Sequence, residues 1–235
     1  MSRPVIGIVG RCETNDLNYP TMAIVDYYRN AILKNGAIPI GILPPQQIEY
    51  FNQRVSETAP LTTKEKEILD KQLSFCDGIL LPGGYKTFEY DNYIIEQCIK
   101  NDKPILGICL GMQVMASYGK KRDNGMPALE NEKNRENGIN HRVEKDEVHG
   151  IVLDKNSKLY KIMKKEEFLV NSLHRYHVIN PKEYKIVGYS EDNLIEAIEY
   201  EGNKFNIGVQ WHPERLLYKE EENNLFMEFI KSCKE

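Results

Sequence analysis

A cysteine closes the apolar run Pro104-Ile-Leu-Gly-Ile-Cys109, and Leu110-Gly-Met-Gln113 follows it. Gly107 and Gly111 flank the cysteine at i−2 and i+2. An apolar strand that turns sharply into a helix needs small residues on either side of the turn. The pattern is that of a nucleophile elbow with Cys in place of Ser. The N-terminus of the helix opened by Leu110 then points at the sulfur and favours thiolate. The sequence has five cysteines: Cys12, Cys76, Cys98, Cys109 and Cys233. The ordinary role of such a residue is a small buried hydrophobe, which suits Cys76 and Cys98 in their apolar-periodic segments. An odd number without Cys-x-x-Cys spacing speaks against a disulfide framework and a structural zinc site.

A second pattern is Gly208-Val-Gln-Trp-His212-Pro-Glu214. In an extended segment, residues two apart project to the same side, and Pro213 stiffens the link between them. Glu214 can then orient one ring nitrogen of His212 while the other faces a sulfur, which is the logic of base plus orienter. A His-x-Glu alone is more often a strand end beside a surface carboxylate; an elbow cysteine changes that balance. The third pattern is Leu81-Pro-Gly83-Gly84. A glycine pair past a strand can turn backbone N–H groups toward a ligand. With the N–H of Leu110 they could form an oxyanion hole, although a Gly-Gly pair by itself is usually a plain turn.

The elements that would carry these residues follow from periodicity. Strands are expected over residues 4–9, 37–43, 77–81 and 104–108, and helices over 19–35, 62–75, 90–100 and 110–118. Alternating helices and nearly all-apolar strands imply an α/β fold, a doubly wound, mostly parallel sheet with helices on both faces. Sites in such sheets lie at the carboxyl ends of the strands, where Gly83, Gly84 and Cys109 fall. Residues 119–147 are polar and read as a solvated excursion, or as a lip over the site. Short strands over 148–153, 168–171, 184–189, 195–200 and 205–210 suit a small antiparallel extension with turns at Asp192-Asn193 and Glu201-Gly202-Asn203. A helix over 220–232 closes the chain. No linker divides residues 1–235, so a single catalytic domain is expected.

The net charge of −4 and the lack of a Lys/Arg-rich stripe give no support to a nucleic-acid surface. No run reaches the roughly 18 apolar residues of a membrane span, and the opening residues do not form a signal peptide. The expectation is a cytoplasmic protein with neither membrane nor nucleic acid as partner. His174 and His177 are three apart, but a metal pair there lacks a third ligand nearby. No metal site is therefore expected. His174 reads as a pocket-wall residue, and His141 and His149 as surface or hairpin residues.

Leu-Pro-Gly83-Gly84, Gly-Ile-Cys109-Leu-Gly-Met-Gln113 and Val-Gln-Trp-His212-Pro-Glu214 together, in this order, closely resemble the class I glutamine amidotransferase superfamily. The resemblance covers nearly the whole chain. It implies Cys109 as nucleophile, His212 as general base and acid, and Glu214 as its orienter. It also implies oxyanion donors at Gly84 and Leu110, and Gln113 helping to hold the glutamyl group. Arg3-Pro-Val-Ile-Gly-Ile, Tyr27-Tyr-Arg-Asn-Ala-Ile, Asn35-Gly-Ala-Ile-Pro-Ile and Val170-Asn-Ser-Leu-His174 look like the γ-glutamyl hydrolase branch. That branch includes γ-glutamyl-γ-aminobutyrate hydrolases and folate polyglutamate hydrolases. The resemblance places the backbone near Ser172 and Leu173 against the substrate's α-amino and carboxylate groups. Leu110 stands where many γ-glutamyl-γ-aminobutyrate hydrolases carry Arg, so the leaving amine stays open.

The expected reaction is a two-step acyl transfer through a γ-glutamyl thioester on Cys109, with His212 protonating the departing amine and then activating water. It needs a small-molecule γ-glutamyl substrate and no cofactor. The alternative is a glutaminase subunit passing ammonia to a synthetase partner. A catalytically dead binding module is a third reading, against which the intact Cys, His and Glu set argues. Sequence leaves open whether the chain forms a homodimer.

Overall fold

The computed structural model describes residues 2–48, 59–118, 129–131, 138–181 and 183–234. The first half alternates β1 (Val5–Val9), the hairpin β2 (Arg11–Thr14) and β3 (Pro20–Ala23), α1 (Asp26–Lys34), β4 (Ile38–Ile42), α2 (Thr63–Leu73), β5 (Gly78–Leu81), α3 (Glu89–Lys100), β6 (Ile105–Ile108) and α4 (Leu110–Ala116). The second half holds β7 (Leu129–Asn131), β8 (Arg142–Val143), β9 (His149–Leu153), α5 (Lys158–Met163), β10 (Glu167–Val170), β11 (Ser172–Leu173) and β12 (Tyr176–Val178). It ends with β13 (Lys185–Ser190), β14 (Ile195–Glu199), β15 (Asn206–Val209) and α6 (Glu220–Ser232).

Neighbouring strands of the main sheet run β10-β9-β13-β14-β15-β6-β5-β1-β4. The pairs from β15 through β6, β5 and β1 to β4 are parallel; those from β15 outward through β14, β13, β9 and β10 are antiparallel. The doubly wound architecture is as expected, and β12 and β7 add to the antiparallel side.

Period-2 alternation splits the core between two faces. Ile6, Ile8, Leu80, Leu106 and Ile108 pack under α1 and α6 through Tyr28, Ile32, Phe226 and Phe229. Ile79, Leu81 and Ile105 face Leu69, Ile94, Ile95 and Met112 of α2, α3 and α4. α2 begins with a capping box in which Thr62 Oγ1 accepts from Glu65 N, as its sequence predicts.

Two local expectations change. Residues 19–25 do not open a helix: Pro20–Ala23 pair with Arg11–Thr14. Asn15 Oδ1 accepts from Leu17 N and Tyr19 N, and Asn18 takes a left-handed φ of 59°, which fixes a turn before the helix can start. Within the polar stretch 119–147, residues 119–128 and 132–137 lie outside the described residues. Arg142–Val143 pairs with Ser172–Leu173, so the described end of that stretch is not purely a solvated loop.

Candidate active site

The carboxyl ends of β1, β5, β6 and β15 meet at one edge, and each supplies a piece of the site. Cys109 follows β6 with φ 54° and ψ −107°, a strained conformation for a non-glycine residue. The flanking glycines explain how the chain gets there. A Cβ on Gly107 would sit 2.2 Å from Met115 Sδ, and one on Gly111 only 2.1 Å from the Leu81 carbonyl oxygen. The turn thus packs directly against the end of β5. Cys109 N donates to Val209 O at 2.8 Å, tying the elbow to β15.

β15 leads to His212, and Pro213–Arg215 form one 3-10 turn. His212 Nδ1 lies 2.7 Å from Glu214 Oε1, and the imidazole hydrogen-bonds Cys109. Cys109, His212 and Glu214 lie together at one cleft, with Glu214 on a 3-10 turn rather than an extended segment. Burial pushes the Cys109 thiol up, but the charge and hydrogen bond of His212, and then the charge of His174, hold it below the ordinary thiol range. Burial opposes the charge on His212, yet Glu214 and then the Cys109 thiolate raise the imidazolium to about 10. A thiolate–imidazolium pair is the consistent state. The helix named from sequence is only seven residues long; the neighbouring imidazole is the stronger local cause.

Asn171, which follows β10, fixes His212 from behind. Its Oδ1 accepts from His212 N at 2.8 Å and its Nδ2 donates to His212 O at 2.9 Å. The side chain, 2% exposed, thereby pairs with the backbone as a neighbouring strand would. Arg11, just past β1, does similar work at the glycine loop. Its Nε and Nη2 donate to Pro82 O at 3.2 and 2.8 Å, and its Nη1 pairs with buried Asp91 at 2.6 Å. Pro82 C=O and Gly83 N–H belong to one trans peptide and point in opposite directions. Holding the carbonyl therefore aims the N–H. That N–H now donates to Tyr28 Oη at 2.9 Å. Burial, and then the charge of Glu214, push the Tyr28 hydroxyl well above its ordinary range, so it stays protonated beside the carboxylate. Tyr28 and Asn171 fall inside the Tyr27-Tyr-Arg-Asn-Ala-Ile and Val170-Asn-Ser-Leu-His174 stretches and Arg11 in no motif, but the role of each depends on a long-range contact that sequence does not show.

A cleft of about 320 Å³ opens over Cys109 and is lined by Arg11, Gly83, Gly84, Leu173, His212 and Arg215 among others. Arg215 stands at its mouth, 3.3 Å from the exposed Glu144 and over the Tyr27 ring. Of the residues expected to touch substrate, Gly83, Gly84 and Leu173 line the cleft, and Leu110 packs against Gly84. Gln113 does not line it: its amide nitrogen donates to Tyr176 O at 2.7 Å and Gln210 Oε1 at 3.1 Å. Ser172 turns its hydroxyl away, 3.0 Å from His141 Nδ1. His174 is not a cleft wall, and His141 and His149 are not surface residues. All three are buried in one cluster with Glu196. Sequence carries no signal for that cluster because its members come from four separate segments.

Comparison with known proteins gives the family. Residues 48–232 match Glutamine amidotransferase class-I; the chain belongs to that family. It is 27% identical to Gamma-glutamyl-gamma-aminobutyrate hydrolase PuuD of Escherichia coli (strain K12), the alignment covering 91% of this chain and 87% of that protein. It is also 30% identical to CTP synthase of Borreliella afzelii (strain PKo), over 67% of this chain but 35% of the synthase. The glutaminase domain of Trypanosoma brucei CTPS shares the fold with a TM-score of 0.67 at 18% identity, covering 98% of this chain and 94% of that one. Family and relatives together support a hydrolase of the glutamine amidotransferase type. Among the described residues no helix is long and apolar enough to cross a membrane.

Proposed function

We propose that the chain is a single-domain hydrolase of γ-glutamyl amides, with Cys109 as nucleophile, His212 as acid and base, and Glu214 as orienter. The observation that carries this reading is the buried Cys109–His212–Glu214 line opening into a cleft beside Gly83 and Gly84. The thiolate attacks the γ-carbonyl carbon, and backbone N–H groups of the glycine loop and Leu110 stabilise the oxyanion. For Gly83 this means exchanging the Tyr28 hydroxyl for the substrate oxygen. The imidazolium gives its proton to the leaving amine, and the C–N bond breaks to leave a thioester. His212, now neutral, takes a proton from water, and hydrolysis releases glutamate.

Arg215 favours a leaving amine that bears a carboxylate. Its ion pair with Glu144, whose side chain is 81% exposed, is the kind that contributes little, so a substrate carboxylate can replace it. This supports γ-glutamyl-γ-aminobutyrate as a substrate. Free cysteines throughout suit a reducing, cytoplasmic setting. The likeness to CTP synthase favours a second reading, a glutaminase serving a separate synthetase.

Glutamate release by the purified chain from γ-glutamyl-γ-aminobutyrate, γ-linked polyglutamate and glutamine separates the two. The hydrolase reading expects turnover of the first without a partner, and a loss of roughly 10⁴-fold or more in Cys109→Ala. Silence on every γ-glutamyl amide would overturn it; turnover of glutamine alone would favour the glutaminase.

A further inference from the structure

Behind the cleft wall, His141, His149, His174 and Glu196 offer ligand atoms that all lie within 4.8 Å of one another, and all four residues are buried. His141 precedes β8, His174 follows β11, His149 begins β9 and Glu196 lies on β14. Glu196 Oε1 is the hub: His174 Nε2 lies 3.5 Å away, and His141 Nδ1 and His149 Nε2 each 3.8 Å. These separations are too long for hydrogen bonds. They lie close to the spacing of about 3.3 Å between ligands of a tetrahedral ion bound at about 2.0–2.1 Å.

The protonation pattern points the same way. His149 Nδ1 lies 3.1 Å from the Gly150 carbonyl oxygen, which can only accept, so the proton is on Nδ1 and the Nε2 lone pair faces Glu196. His141 Nε2 lies 3.2 Å from Asp192 Oδ1, which puts its proton on Nε2; its Nδ1, 3.8 Å from Glu196 Oε1, now accepts from Ser172 Oγ at 3.0 Å and would exchange that hydroxyl for the ion. Neither carboxylate oxygen of Glu196 has a hydrogen-bond donor among the described residues, although the side chain is fully buried. A buried carboxylate without a donor, ringed by imidazole nitrogens, is a set of groups that a cation between them would satisfy. A carbonyl and a carboxylate on the outer imidazole nitrogens are also the usual supports of metal-bound histidines.

We propose that His141, His149, His174 and Glu196 bind one zinc-class divalent cation that cross-links the β8–β11 ladder to the main sheet. Three imidazoles and a carboxylate suit Zn²⁺, and four protein ligands leave no open position, as in a structural site. The ladder it anchors carries Leu173 into the cleft, so the ion would hold one wall of the pocket without touching the reacting atoms. This inference does not depend on the hydrolase reading.

The test uses the full chain without a histidine tag, freed of metal by chelator and titrated with Co²⁺. The same titration on Cys109→Ala removes any contribution of the thiolate. The expected result in both is the visible absorption of tetrahedral Co²⁺, saturating at one ion per chain and lost on adding Zn²⁺. Zn²⁺ should also raise the thermal midpoint. Asp192→Asn, which leaves all four ligands in place, should weaken binding by roughly 10- to 100-fold, and Glu196→Gln more. A titration showing no stoichiometric Co²⁺ or Zn²⁺ binding to the parent chain, or binding that disappears in Cys109→Ala, would overturn the site.

Discussion

The Cys109–His212 pair makes a pH claim that can be checked on one sulfur. The thiol is held down by His212 and the imidazolium is held up to about 10, so each charge supports the other. Thiolate is lost only as pH falls through the lowered thiol value, and the imidazolium only as pH rises toward 10. Below a thiol's pKa, each unit by which it is lowered gives about tenfold more thiolate at a given pH. The other cysteines are pushed the opposite way by burial: Cys12 and Cys76 to about 11, Cys98 and Cys233 to about 12. Iodoacetamide at pH 6 should therefore modify Cys109 well ahead of the rest, as read by peptide mass spectrometry. His212→Gln should move the onset of Cys109 labelling to higher pH. Labelling with the same pH profile in both proteins would mean that the imidazole does not set the thiol's charge.

Among the elements, Asn171 joins the ends of β10 and β15, strands with β9, β13 and β14 between them. Removing its two hydrogen bonds, each worth about 0.5–1.5 kcal/mol, should misplace His212 rather than unfold the sheet. Asn171→Ala is expected to lower kcat by roughly 10- to 100-fold while KM for the same substrate changes little. A matching loss of thermal stability with no change in kcat would assign Asn171 a purely structural role. The elements show where sequence is informative. β1, β5, β6 and α4 were legible because a buried parallel strand is a continuous apolar run, and the elbow demands glycine where Gly111 meets the Leu81 carbonyl. The β2–β3 hairpin was not, because Met22 and Ile24 fit either period and the Asn15 turn decides between them. α5 was missed because it is six residues long and depends on the Ser157 cap. Cys109, His212 and Glu214 could be picked from local motifs, whereas the histidine cluster exists only once four separate segments have packed together.

At the scale of the whole molecule, one buried residue of α6 should make folding stability fall with pH through neutrality. Glu222 of α6 is fully buried and accepts from Trp211 Nε1 at 3.0 Å. Burial above all raises its carboxyl to about 8; Trp211 and Lys219 pull it down, and Glu221 and Glu214 push it up. Between an ordinary 4.5 and about 8 the folded chain keeps this proton and the unfolded chain does not, so stability falls as pH rises. Whatever the Cys109–His212 pair contributes to the pH dependence is common to the parent chain and to a variant at Glu222, so it cancels in their difference. From about pH 6.5 to 8 the unfolding free energy should thus drop by about 1.4 kcal/mol per pH unit on account of Glu222. Glu222→Gln keeps the acceptor for Trp211 but has no proton to lose. Urea unfolding across that range should show a slope in the parent chain that flattens in the variant, which becomes the more stable of the two toward pH 8. Parallel slopes would mean that Glu222 is already ionised in the folded state.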